Sequence, residues 1–404
     1  MIVLVINCGS SSIKYQLLDM KSEDAYELLA KGIVEKIGLP DGHFKYTPTG
    51  KDKVEMTLPI PDHKVGMQIV LEELVKPGTG VLESFEDIEA VGHRIVQGAD
   101  YFSGSALIDE DVLKKIEICC DFAPLHNPAH LLGISAVSNV LPDVPQVAVF
   151  DTAFHQTMPA FNYMYGLPYK YYEQYHIRKY GAHGTSHQYV SQKGAELAGI
   201  DLENSKIITC HLGNGSSISA VQNGKVLDTS MGFTPLAGMI MGTRCGSIDP
   251  NIVPYIMKKE GLSPDEMTAL MNKKSGFLGV SGSSSDVRDL NARVEQGDQR
   301  AKLVFKIFTY DIIKLIGSYI AEMQGVDLIV FTAGIGENNA RLRRRVSENF
   351  AYMGLKFDYD ANVAIDGDTI ISLPDSKIKV AVICTNEELM IARDTMRIVQ
   401  NAQE

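Results

Sequence analysis

The chain is 404 residues long, 45% hydrophobic and 22% charged, with a formal net charge of −12. That length favours two domains over one, because single cores stop growing near roughly 250–300 residues, and the composition argues against disorder. The acidic balance, without a Lys/Arg stripe, excludes a phosphate-backbone binder and hence a nucleic-acid partner, and no apolar run approaches the roughly 18–20 residues of a membrane span.

Residues 2–7 are an apolar run that reads as a buried strand, too short and too poor in basic residues for a signal peptide. The turn Cys8-Gly-Ser-Ser-Ser follows, and residues 12–19 read as a returning strand. Residues 63–75 have helical spacing, with Val65, Ile69, Val70 and Leu74 on one face. Short strands are expected near 89–92 and at 146–150, with Gly92-His93-Arg94 after the first and Asp151 ending the second. A helix is expected to start near Pro128. His183 and His187 flank Gly184 in a segment that reads as a loop.

The second half repeats the opening. Residues 207–212 read as a buried strand, Gly213-Asn-Gly-Ser-Ser as a tight turn, and 218–221 as its return, with Asn223-Gly224 marking a further hairpin. The tip after Asn7 and the tip after Leu212 thus match, which points to two duplicated α/β halves. Residues 300–323 read as a long helix. The run 328–331 is a strand that leads into Gly334-Ile-Gly-Glu-Asn, itself expected to precede a helix, and 386–399 close the chain as a helix. Arg341-Leu-Arg-Arg-Arg345 reads as a solvated helix face.

Gly/Ser tips suit phosphate oxygens, because backbone N–H groups and hydroxyls converge there without a clashing Cβ, although a plain turn would look the same. Neither the dinucleotide fingerprint nor the Walker loop occurs. Arg94 and Arg244 carry planar forks for carboxylate or phosphate, or make structural ion pairs. Asp151 and the pair Glu387-Glu388 sit at strand ends, where carboxylates suit magnesium. They equally suit a helix N-terminus. Six cysteines without a Cys-x-x-Cys pair give no zinc signature and fit a reducing, cytoplasmic setting.

The stretches 3–15, 124–128, 150–159, 183–187, 211–217, 241–250 and 331–338 resemble the acetate kinases, and the resemblance covers essentially the whole chain. It implies an α/β fold of two duplicated ribonuclease-H-like (actin-like ATPase) domains around a central cleft. The first would comprise 1–150 plus a returning 385–404, the second 151–384. It also implies a homodimer that uses ATP or ADP with magnesium, or manganese in its place, and a small carboxylate.

By position, Asn7, Asp151 and Glu387 resemble the residues around the metal, and Arg94 and Arg244 the clamp on carboxylate and phosphoryl group. His183 resembles the transition-state donor. Ser10, Ser12 and Lys14 resemble phosphate contacts, as do His211, Gly213, Asn214 and Gly215. Asp286, Val287, Arg288, Gly334, Ile335, Gly336 and Asn338 fall where the family binds adenosine. Val96, Leu125, Ala182 and Pro235 fall in the acyl pocket.

Ala182 departs from the family's phenylalanine, which implies a roomier pocket. A propionate or butyrate kinase, a non-catalytic actin-like ATP switch and a pyrophosphate-dependent relative remain as alternatives.

Overall fold

The apolar runs become two sheets in a computed structural model that describes residues 1–124 and 126–403. The chain divides into two units: Met1–Phe154 with the chain's end from Asn386 onward, and His155–Thr385.

In the first unit, β1 (Ile2–Gly9), β2 (Ser12–Met20), β3 (Tyr26–Glu35), β4 (Gly42–Pro48) and β5 (Val54–Leu58) form an antiparallel meander. On the other side of β1 lie β6 (Ala90–Ile95), β8 (Gln146–Phe150) and the short β7 (Ala106–Leu107). The pairs β1–β6 and β6–β8 are parallel, so the ends of all three strands point the same way. Val3, Leu4, Val5 and Ile6 are almost fully buried, as expected for a strand covered on both faces.

In the second unit, β9 (Lys206–Leu212), β10 (Ser216–Gln222) and β11 (Lys225–Thr229) are antiparallel. The strands β12 (Leu328–Thr332) and β14 (Lys379–Val382) run parallel to β9, and β13 (Thr369–Ile370) caps the edge. Both sheets contain one pattern: two antiparallel strands beside a first strand, then two parallel strands on its far side. That pattern bears out the duplicated α/β halves expected from the matching tips and the ribonuclease-H-like class implied by the resemblance.

Local chemistry explains most of these elements. Asn223 and Gly224 both have positive φ, 52° and 73°, as a two-residue hairpin turn requires. The helix His63–Leu74 is capped by Asp62, whose side chain accepts from the Val65 amide at 2.8 Å. Its buried face is Gly66, Met67, Val70, Leu71 and Leu74, while Val65 and Ile69 are only half-buried. The glycine shifts the face by letting the helix sit on Ile13. The closing helix Glu387–Gln403 packs across β1, β6 and β8. A Cβ on Gly92 would lie 2.4 Å from Thr395 Oγ1, so this close approach needs glycine.

Four expectations are corrected. Gly92-His93-Arg94 lies inside β6, because parallel pairing with β1 runs to His93 and with β8 through Ile95. The segment after His183 is helical from Gly184 to Ala198, with His183 itself at φ 59° before it. Gly334-Ile-Gly-Glu-Asn does not only precede a helix, Ala340–Glu348, but is itself part of a short one, Ala333–Asn338. The run 341–345 is not wholly solvated: Arg343 is 2% exposed, because its position on Ala340–Glu348 faces inward.

The first unit also buries two neutral histidines. Burial pushes His93 down to about 4, against a partial offset from its 2.8 Å bond to Gln146. Burial, helped by the nearby Arg94 charge, pushes His130 down to about 3. Both folded values lie below the unfolded one, so between them the unfolded chain binds more protons and stability falls on acidification. Each should cost about 1.4 kcal/mol per pH unit within that window. Urea unfolding from about pH 7 to about pH 5 should therefore show a shallower loss for His130→Met than for the parent. Equal slopes would mean that His130 is not held neutral.

Candidate active site

In the first unit, parallel pairing brings three strand ends together. Arg94, from β6, donates from Nη2 and Nε to the two carboxylate oxygens of Asp151 at 2.6 and 3.2 Å, a bidentate fork. Its Nη1 lies 3.5 Å from Asn7 Oδ1, and its Nε 3.8 Å from Glu387 Oε2. Asp151 is fully buried immediately after β8. Glu387 arrives on the closing helix, whose seat over Gly92 sets its position.

The electrostatics are strongly coupled. Burial works against the Arg94 charge, but Asp151 and Glu387 outweigh it and hold the guanidinium charged. Burial raises the Glu387 carboxyl, Arg94 opposes that, and Asp151 and Glu388 push it up again. The cluster thus has more acid than one arginine neutralises. Ser10 is exposed at the first tip, Ser12 opens β2, and Lys14 is exposed on it. Val96 is 7% exposed just past β6, where buried Asn127 bonds both the Gln97 amide and carbonyl, at 3.2 and 2.8 Å. Leu125 lies outside the described residues.

In the second unit, the other tip gathers a histidine cluster. The ring of His183 stacks on His211 at 4.2 Å between centroids and 22° between planes. Its Nδ1 is 2.8 Å from Ser217 Oγ, which is also 2.7 Å from His187 Nε2. His187 reaches Thr209 Oγ1 at 2.7 Å, and His211 reaches Ser186 Oγ at 2.8 Å. Burial holds His187 well below the usual histidine range, so it stays neutral. Ser217 and His187 therefore orient His183, and sequence reasoning missed that role. The available signal was the four-residue spacing, which sets both rings on one side of a helix.

A Cβ built on Gly215 would lie 3.5 Å from Arg244 Nη1 and 3.6 Å from His183 Nε2. The two side chains thus converge over the tip. Arg244 Nη1 donates to the Pro235 carbonyl at 3.0 Å, and among the described residues no carboxylate pairs with this guanidinium. Asn214 is exposed, with its side chain folded against Gly242.

Beside this tip is a cavity of about 480 Å³. Gly213, Asn214, Asp286, Val287, Arg288, Gly334, Ile335 and Asn338 line it, all named from the sequence. Phe277, Ser285, Asn291 and Asn339 complete it and were not named. A Cβ on Gly334 would meet nothing within 4 Å, so this glycine borders open space. Gly336 instead packs inward: a Cβ built there would lie 3.4 Å from the Phe331 carbonyl carbon. The side chain of Arg288 folds onto Asp286 at 2.6 Å and holds that carboxyl down to about 2.

Ala182 is buried against Met231 and Met241. Ala182 thus packs against flexible thioether side chains, which fill irregular gaps well.

The chain matches the model of the acetokinase family over residues 2–393. It is 54% identical over 399 residues to the acetate kinase of Carboxydothermus hydrogenoformans, covering 99% of each chain. The crystal structure of Porphyromonas gingivalis acetate kinase matches with a TM-score of 0.93 at 46% identity, covering 98% of this chain and 99% of that one. A propionate kinase from Francisella tularensis matches at 0.91 and 42%, with the same coverage. The matched pattern runs from the first strand into the closing helix and takes in the strand ends, both tips and the cavity wall, so the chain belongs to the acetokinase family.

Proposed function

We propose that this protein is an acetate kinase that transfers the γ-phosphoryl group of ATP to acetate, reversibly. The observation that carries this reading is the convergence of Arg244 and His183 over Gly215, where among the described residues no carboxylate neutralises Arg244. Cations placed so, beside backbone amides of a glycine tip, suit a transferring phosphoryl group.

An acetate oxygen forms the new bond to phosphorus, the bond to the β–γ bridging oxygen breaks, and its electron pair leaves with ADP. Acetate is already ionised at neutral pH, so no general base is needed. The reading assigns the acceptor carboxylate to the Nη1 edge of Arg94, which the fork on Asp151 leaves, and the equatorial phosphoryl oxygens to Arg244 and His183. The nucleoside falls to the cavity of about 480 Å³ bordered by Gly334, which favours ATP over pyrophosphate as donor.

The family's magnesium fits the first-unit cluster. Its donors are hard oxygens from Asn7, Asp151 and Glu387, with surplus negative charge. Among the described residues no group of three acids, histidines or cysteines could hold a metal. Two carboxylates with waters and phosphate oxygens are what magnesium usually takes. Bound with the nucleotide, the ion would neutralise phosphate charge.

The same reading makes the protein a cytoplasmic homodimer. Exposed Phe161, Leu167, Tyr169 and Tyr175 offer an apolar face for pairing, and the six unpaired cysteines suit a reducing compartment.

A specific observation bears on the propionate alternative. Met231 and Met241 occupy the space beside Ala182, which favours the shorter acid. Acyl phosphate trapped with hydroxylamine should show acetate with the highest kcat/KM, ahead of propionate by about 10-fold or more per methylene. Faster propionate turnover would make this a propionate kinase. Nucleotide binding without any acyl phosphate would support an actin-like switch instead.

A further inference from the structure

Outside the cavity just described, basic side chains from two helices meet in the second unit. On Gln299–Met323, Lys302 and Lys306 stand one turn apart. On Ala340–Glu348, Arg341 and Arg345 do the same. Together with Asn291, Asn339 and Thr309 they line a cavity of about 130 Å³ whose remaining wall is the apolar Val294, Phe305 and Leu342. Among the described residues no carboxylate lines it, although the chain carries a net charge of −12.

The nearby acids are engaged elsewhere. Glu348 accepts from Arg344 at 2.8 Å, and Asp298 caps the start of the 299–323 helix and faces Arg293 at 3.8 Å. Like charges one turn apart repel, and the arrangement occurs on both helices. Burial lowers the Arg345 pKa, Arg341 and Arg344 lower it further, and Glu348 offsets them only in part, so the repulsion is felt at the cavity. A fold gains nothing from collecting unpaired cations in a concavity. An anion seated there would relieve them all. The volume is small beside the nucleotide cavity of about 480 Å³, which sets the size of the ligand.

We propose that this cavity is a second anion site, which takes a small polyanion of the diphosphate class. Asn291 and Asn339 also line the nucleotide cavity, so the two sites share a wall. Diphosphate could reach the pocket free or as the tail of the neighbouring nucleotide, and the test separates these sources.

The full chain is saturated with ADP without divalent metal, and inorganic pyrophosphate is then titrated calorimetrically at low salt. The expected result is one equivalent of pyrophosphate bound with ADP in place. Lys306→Gln with Arg345→Gln should weaken it at least tenfold and leave phosphoryl transfer without pyrophosphate unchanged. Both side chains are exposed, and the charge-keeping pair Lys306→Arg with Arg345→Lys should restore binding. The proposal is overturned if no pyrophosphate binds, or if ADP abolishes its binding. The first result leaves the cavity without a ligand, and the second places the diphosphate at the catalytic tip or assigns the pocket to the nucleotide's own tail. Unchanged affinity in the Gln pair overturns it as well.

Discussion

Arg94→Ala should lower kcat/KM for acetate by about 10³-fold or more, or roughly 4 kcal/mol of transition-state stabilisation. Two losses combine. The substrate carboxylate loses its proposed Nη1 donor, and Asp151, fully buried, loses its 2.6 Å partner. Removing one member of such a buried pair costs about 3–5 kcal/mol of stability, because the remaining charge has no water to solvate it. Asp151 and Glu387 would also face each other without the cation that offsets their repulsion.

Arg94→Lys separates the two losses. It keeps the charge but not the planar fork. Its thermal midpoint should stay near that of the parent, while kcat/KM falls by about 10²-fold. Steady-state kinetics and thermal unfolding on all three proteins decide the matter. Unchanged kcat/KM in Arg94→Ala would remove Arg94 from the reaction and leave it a structural ion pair.

Arg343→Met should destabilise the second unit by about 3–5 kcal/mol, the range for breaking a buried charged network. The guanidinium donates to Asn362 Oδ1 and O at 2.8 and 2.9 Å, and to the carbonyls of Gly336 and Glu337 at 2.8 and 2.7 Å. Burial pulls its pKa down to about 10, and carbonyl oxygens rather than a carboxylate compensate the charge. Two of those carbonyls end the short helix Ala333–Asn338, where a cation also suits the helix dipole. Loss of Arg343 strands them and loosens Gly334 and Ile335 on the cavity wall. ADP affinity should therefore fall by about tenfold, roughly 1.4 kcal/mol. Arg344→Met, whose exposed side chain bonds Glu348 and lies 5.1 Å over the Tyr359 ring, should change stability by only about 1 kcal/mol. Equal effects of the two substitutions on urea unfolding and ADP titration would refute the structural role of Arg343.

The contrast between these neighbouring arginines shows where sequence reading stops. The run 341–345 looks uniformly basic, and charge alone marks it as solvated. What separates Arg343 from Arg344 is the helix phase together with Asn362, 19 residues later, whose position no local pattern reveals. The segment Ala333–Asn338 was expected to precede a helix rather than to form one for a related reason: two glycines disfavour helix, and bonds from Arg343 help hold it there. Phe277, Asn291 and Asn339 were invisible as cavity residues because each carries ordinary local chemistry and only packing brings them to the wall.

The strands of both sheets that carry the tips, the matching tips themselves and the chemical type of the strand-end residues were determined by the sequence alone. They rest on local periodicity and turn chemistry, which depend on residues a few positions apart. Tertiary structure decided which groups meet. It paired Arg94 with Asp151, 57 residues on, and with Glu387 from the closing helix, and it packed Met231 and Met241 against Ala182. It also buried Arg343 while leaving Arg344 in water. Desolvation and charge pairing depend on every neighbour in space, so a residue's chemical role is settled only when the distant parts of the chain have packed around it.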